Sequence, residues 1–173
     1  MCEINPNGCI QPIEPIGSID DLEFVAERGE GSRKRVNAFL ESVDHKLGSV
    51  VGWLMAWSAR YNGTIVAVIV VSRPTARVYD NGETIEISRI AARPERPHNT
   101  SSWMIARARR WAALSGYQRM LAYAGVAGNR GTVYEACGFE CESIETDDTS
   151  RWQNRDGRQE YGEYTRRRWV YDL

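Results

Sequence analysis

Glu86 and Ser88 stand two residues apart in the β-rich run ETIEISRIAA, so a strand places them on one face and Arg89 on the other. A carboxylate near a hydroxyl and a histidine is suited to taking a proton from an attacking amine, once its pKa is tuned toward neutrality. A structural Glu-Arg ion pair would use the same residues. Arg73 and Arg77 bracket the turn fixed by Pro74, at the end of the preceding strand-like run. Loops carried by rigid strands are where binding groups concentrate. Two arginines there would hold the phosphates of a polynucleotide or the carboxylate of a metabolite. Asn99, Thr100, Ser101 and Ser102 open a helical pattern, where they either cap the helix or hold an anion with hydroxyls and free N–H groups. Trp152, Tyr161, Tyr164 and Trp169 lie close to Arg166, Arg167 and Arg168. Such a surface offers stacking and phosphate contact, or simply the cross-strand aromatic pairs of a twisted hairpin.

These residues need a scaffold, and 173 residues suffice for one domain with a real core. The first sixteen residues hold three prolines, so 1–17 is expected as a tail or edge strand before a single domain over 18–173. With 42% apolar and 26% charged residues, collagenous, coiled-coil and disordered classes are excluded. The formal net charge of −1 gives no global pull on nucleic acid or anionic lipid. The two halves differ, at −4 over residues 1–86 and +3 over 87–173, and 20 of the 22 basic residues are arginine. The cysteines at 2, 9, 137 and 141 lack zinc spacing, so no metal is expected and they read as reduced thiols. The longest wholly apolar run, IVAVIVV, is far below the ~20 residues of a membrane span. A cytoplasmic protein with no membrane partner is expected.

Along the chain, Ser18 with Asp21 forms a box-like cap, and Ile19, Leu22 and Val25 or Ala26 suggest a first helix. Val36, Phe39, Leu40 and Val43 predict a second, closed by Gly48. VVGWLMAWSA and TIVAVIVV flank Asn62-Gly63, the strongest short hairpin signal. A third strand, ETIEISRIAA, precedes the clearest helix, HNTSSWMIARARRWAALSG. QRMLAYAG reads as a buried strand. Asn129 caps a short helix that leaves at Gly138, FECESIE follows as a strand, and the C-terminal segment reads as a hairpin bending near Asp156-Gly157. The order implies a mixed central sheet of the α/β (α+β) class with helices on its faces.

That order, with ISRIAARP before the long helix and VYEACGFE after a buried strand, resembles the GNAT acyltransferases. The resemblance implies a mixed sheet whose fourth and fifth strands splay around an acyl-CoA, with the pyrophosphate at the following helix start. Tyr-x-x-x-Gly-Phe then places Tyr134 where such enzymes keep the acid for the leaving thiolate. Asn99, Thr100, Ser101 and Ser102 fall at the cofactor-binding turn. The usual glycine-bearing pyrophosphate loop is absent, because RPERPHNTSSW has two prolines and no glycine. The donor would be acetyl-CoA or another activated species.

A narrower resemblance is to the phage Mom-like DNA modification group. It rests on Arg73, Pro74 and Arg77, on Glu86, Ser88 and Arg89, on Tyr123 in the strand after the long helix, and on His45. It implies transfer to an amino group, foremost on adenine in DNA. Tyr134 or Tyr123 would be acid or orienting hydroxyl, Glu86 or His45 base with Ser88 nearby, and Arg73, Arg77, Arg89 and Trp152 would meet the substrate. An adenine-modifying enzyme acts on a flipped base or single strand. An acetyl-CoA-dependent N-acetyltransferase acting on a small amine or protein, and a non-catalytic binding module, are the alternatives.

Overall fold

A computed structural model describes residues 2–4, 10–12, 16–148 and 163–173. The first two strands, β1 (Cys2–Ile4) and β2 (Ile10–Pro12), pair antiparallel as a ladder of their own. A seven-stranded sheet then begins with β3 (Glu23–Ala26), followed by helix α1 (Ser32–Ser42) and the antiparallel meander β4 (Met55–Tyr61), β5 (Thr64–Ser72) and β6 (Thr84–Ala92). Helix α2 (Thr100–Leu114) crosses over to β7 (Arg119–Ala124), which runs parallel to β6. The short helix α3 (Thr132–Ala136), β8 (Glu140–Asp148) and β9 (Glu163–Asp172) complete the chain. The sheet order is β3-β4-β5-β6-β7-β9-β8, so the last strand inserts between its two predecessors.

The hairpin turns at Asn62 (φ 48) and Gly63 (φ 81), the left-handed pair that a two-residue loop requires. On one face, Val36, Phe39 and Leu40 of α1 pack on Val68 and Val70. On the other, Met104, Ile105 and Ala108 of α2 pack with Ile69, Val71, Ile85 and Ile87, and Tyr134 of α3 joins them. Helices on both faces are thus observed.

Three expectations are corrected. The Ser18 capping box forms, with both reciprocal hydrogen bonds, but it opens a single 3-10 turn over Ile19–Asp21. The next residues become β3, since a ladder with β4 from Glu23↔Arg60 to Ala26↔Trp57 outweighs a weak helical period. The strand expected from Val50 starts at Met55, because Asn37 of α1 captures the Val50 N–H (2.8 Å) and C=O (3.0 Å). The short helix is capped at Gly131 and starts at Thr132, so Asn129 is not its cap; the Asn129 side chain instead accepts the Gly131 N–H at 2.9 Å. The bend expected at Asp156-Gly157 lies outside the described residues, and β9 pairs with β8 and β7.

Candidate active site

β6 and β7 are hydrogen-bonded partners from Thr84↔Arg119 to Ile87↔Ala122 and no further. β6 continues to Ala92 and β7 to Ala124, so the strands part and leave a wedge at their C-terminal ends. A cavity of about 540 Å³ occupies it. Ser88–Ala92 line one wall, Tyr123–Asn129 the other, Val43–Leu47 after α1 a third, and Tyr134 and Arg166 also reach it.

A β-bulge shapes the first wall. Val71 faces Ile87 and Val70 faces Arg89, so Ser88 is the extra residue and its hydroxyl donates to the Val70 carbonyl (3.3 Å). The bulge reverses the alternation that would have sent Arg89 away from Glu86 and brings Arg89 to the α1 side. There its guanidinium donates to the carbonyls of Leu47 (2.9 Å), Gly48 (3.1 Å), Ser49 (3.4 Å) and its own neighbour Ser88 (2.7 Å). Arg89 therefore ties the 47–49 segment to the free half of β6. Replacing it with Ala is expected to destabilise this wall by about 1.5–3 kcal/mol, the worth of charged hydrogen bonds. Hydrogen exchange confined to residues 43–50 would report the loosening; unchanged protection there would contradict it.

His45 is part of the same clasp. Its Nδ1 accepts the Leu47 N–H at 3.3 Å, and the ring also hydrogen-bonds the Ile90 backbone. Burial first, then the Arg89 charge, pushes its pKa below the ordinary value, so it stands neutral at pH 7. Glu86 lies just inside the point of divergence and does not line the cavity. It is 6% exposed, and Thr75 donates its N–H to Oε2 (2.8 Å) and its hydroxyl to Oε1 (3.1 Å). Burial raises its pKa, opposed by Thr75 and by Arg89.

Tyr134 is buried against Phe139 (ring centroids 5.6 Å) and Trp169 (6.5 Å), yet lines the cavity. Burial raises its pKa strongly, and the charge of Glu86 and Cys137 add to it, so the phenol stays protonated. Gly131 makes this seat: at φ 80 it starts α3, and a Cβ there would strike Trp169 Nε1 and lie 2.9 Å from Ala124 Cβ. Tyr123, half-buried across the gap, is likewise pushed up by burial and then by Glu86. Arg166 lies over its ring at 5.7 Å, and Arg168 over Tyr79 at 4.9 Å, making two stacked cation and ring pairs.

The structure thus gathers Tyr134, Tyr123, His45, Ser88 and Arg89 around one cavity, with Glu86 beneath it. Arg73 and Arg77 are exposed in the β5–β6 connection and do not line it, and Trp152 lies outside the described residues. Asn99 to Ser102 sit at the start of α2. Asn99 is left-handed (φ 63) without a side-chain cap, Thr100 is buried and donates its hydroxyl to the Pro97 carbonyl (2.7 Å), and Ser102 donates to the Asn99 carbonyl (2.9 Å). The hydroxyls of Thr100 and Ser102 are therefore used locally. The N–H groups of Ser101 and Ser102 have no backbone acceptor among the described residues. Arg93 Nε, at the start of the same turn, is buried without a partner among them. Within the Val43–Leu47 wall only His45 was expected, and Arg166, expected as part of a stacking and phosphate surface, lines the cavity instead; the glycines of AGVAGNRG, flanking a strand end, were the signal for the opposite wall.

Solved structures share the fold. An IAA acetyltransferase from Bacillus cereus is 18% identical, over 87% of this chain and 100% of that one, with a TM-score of 0.60. A GNAT family acetyltransferase from Elizabethkingia anophelis with acetyl-CoA bound is 14% identical (89% and 99% covered, TM-score 0.58). An acetyltransferase from Bacillus subtilis in complex with CoA is 16% identical (88% and 97% covered, TM-score 0.55). The chain has the GNAT acetyltransferase fold. No family model matches the sequence, and no curated protein matches it. On this GNAT scaffold, no group of three or more His, Cys, Asp or Glu among the described residues could hold a metal. No helix among them is long and apolar enough to cross a membrane.

Proposed function

We propose that this chain is an acyl-CoA-dependent N-acyltransferase whose thioester lies in the wedge between β6 and β7. The observation that carries the reading is the parting of these strands after Ile87 and Ala122, with the Tyr134 phenol on the wall of the resulting cavity. Beyond Ile87 the main-chain edge of β6 is unpaired by β7, and the groups on it that Arg89 and His45 do not use suit an amide-bearing arm laid alongside as an added strand. The N–H groups of Ser101 and Ser102 and the positive end of α2 suit the pyrophosphate, with Arg93 at the turn. Pro94 and Pro97 supply no N–H, so this turn has fewer donors than a glycine-bearing one. Bound there, an acyl thioester supplies the activated carbonyl that an amine attacks.

The chain's own residues divide the remaining work. Tyr134 Oη holds a proton at the cavity wall, available to a departing thiolate. Arg89 and His45 fix the segment Val43–Leu47 that narrows the opening. Glu86, held by Thr75 outside the lining, acts through its charge on Tyr123 and Tyr134 rather than by contact with an amine. Incubation with acetyl-CoA and a panel of primary amines should release free thiol and give amides gaining one acetyl mass. Absence of both, with the chain folded, would reject the reading.

A second reading places the amino group on a nucleobase, and a DNA partner beside the cavity. It is favoured by the ring and guanidinium pairs Tyr123–Arg166 and Tyr79–Arg168, since such surfaces hold bases and phosphates. Mass spectrometry of nucleosides from DNA exposed to the protein separates the two: a modified adenine supports this reading, and unmodified nucleosides with acetylated small amines support the first.

A further inference from the structure

A second cavity, of about 720 Å³, lies at the opposite end of the sheet. Helix α1 spans the distance between the two. The residues after its last turn line the wedge, while Ser32 and Arg33 at its start line this cavity, about 16 Å away for 11 residues. Met55, the first residue of β4, and Glu27, just beyond β3, form its inner side.

Its chemistry is specific. Trp53 and Trp111 contribute half-buried indoles, and Trp111 is steadied by an edge contact with Trp57 at 5.2 Å. Arg28 and Arg33 are exposed at its rim. Arg33 donates to the Val51 carbonyl at 2.9 Å, and the acceptor of Arg28 is the weak Met55 Sδ at 4.0 Å, so neither meets a carboxylate among the described residues. The one carboxylate in the lining, Glu27, has a fully buried side chain already bound by Arg35, Arg60 and Ser58. Two cations without acidic partners among the described residues, beside two half-buried indoles on one open cleft, suit a planar ring that carries an anion. A guanidinium fork matches a carboxylate in its plane.

We propose that this cavity is a binding site for an aromatic carboxylate, separate from the acyl-transfer wedge. The proposal stands whether or not the acyltransferase reading does. Calorimetric titration of the full chain with 2-naphthoate tests it, with acetate as the ringless control and 2-naphthalenemethanol as the uncharged one. One saturable site for naphthoate is expected, with both controls at least about tenfold weaker. The double variant Arg28→Gln, Arg33→Gln should weaken naphthoate by about tenfold or more while still melting cooperatively as a folded protein, and Tyr134→Phe should bind it as wild type does. No saturable heat, equal binding by the double variant, or displacement of naphthoate by acetyl-CoA would overturn the proposal.

Discussion

Tyr134→Phe is expected to lower kcat for acetyl transfer about 10²- to 10³-fold while leaving the melting temperature and donor affinity near wild type. The ring contacts with Phe139 and Trp169 survive the change, so the hydroxyl alone is removed. Burial, reinforced by Glu86, keeps that hydroxyl protonated across any working pH, so wild-type kcat should show no loss from its ionisation up to pH 10. Without it, a departing thiolate takes its proton from water. A thioester of a more acidic thiol, such as thiophenol, needs that proton less, and the gap between variant and wild type should narrow with it. A uniform loss with every thioester, or a loss confined to KM, would show that Tyr134 positions rather than donates.

The largest stability effect is expected at Glu27. Ser58 donates its hydroxyl to Oε1 at 2.6 Å, Arg60 pairs with the same oxygen, and Arg35 pairs with Oε2 at 3.1 Å, joining β3's end, β4 and α1. Glu27→Ala leaves the buried Ser58 hydroxyl and two cations without their acceptor. Breaking a buried pair from one side costs about 3–5 kcal/mol, and Arg35, nearly half exposed, can rehydrate, which favours the lower figure of about 3 kcal/mol. Burial alone would raise the Glu27 pKa, but the hydrogen bonds from Ser58, Arg60 and Arg35 outweigh it and hold it below the ordinary carboxylate value. A depressed carboxylate contributes stability fully above its unfolded value and loses it as the pH falls through the folded one. The difference in urea midpoint between wild type and variant should therefore be constant from pH 7 to about 5 and shrink on further acidification. A difference that grew in acid would contradict the network.

The crossover β6-α2-β7, the Asn62-Gly63 hairpin and the mixed sheet were legible because each rests on local grammar: a run of β-branched residues, a left-handed pair, a long amphipathic helix. What stayed hidden depends on partners remote in sequence. The bulge at Ser88 is a mismatch between β5 and β6, and it alone decides that Arg89 shares a side with Glu86. Arg89 and His45 read as substrate or proton-transfer groups from their types, yet backbone groups of residues 47–49 and 90 occupy them. Leu22–Ala26 carry a period ambiguous between helix and strand, and the exposed edge of β4 settles it. Tyr134 was marked by its place before Gly138-Phe139, and the structure supplies the buried seat that gives that place chemical meaning.

The most direct test of the central claim is a crystal structure of the protein grown with acetyl-CoA. The amide-bearing arm should lie in the wedge between Ser88–Ala92 and Tyr123–Gly125, with the thioester sulfur within hydrogen-bond reach of Tyr134 Oη and the pyrophosphate at the Ser101 and Ser102 N–H groups. A wedge without the arm at saturating acetyl-CoA, or an arm seated elsewhere on the molecule, would contradict it.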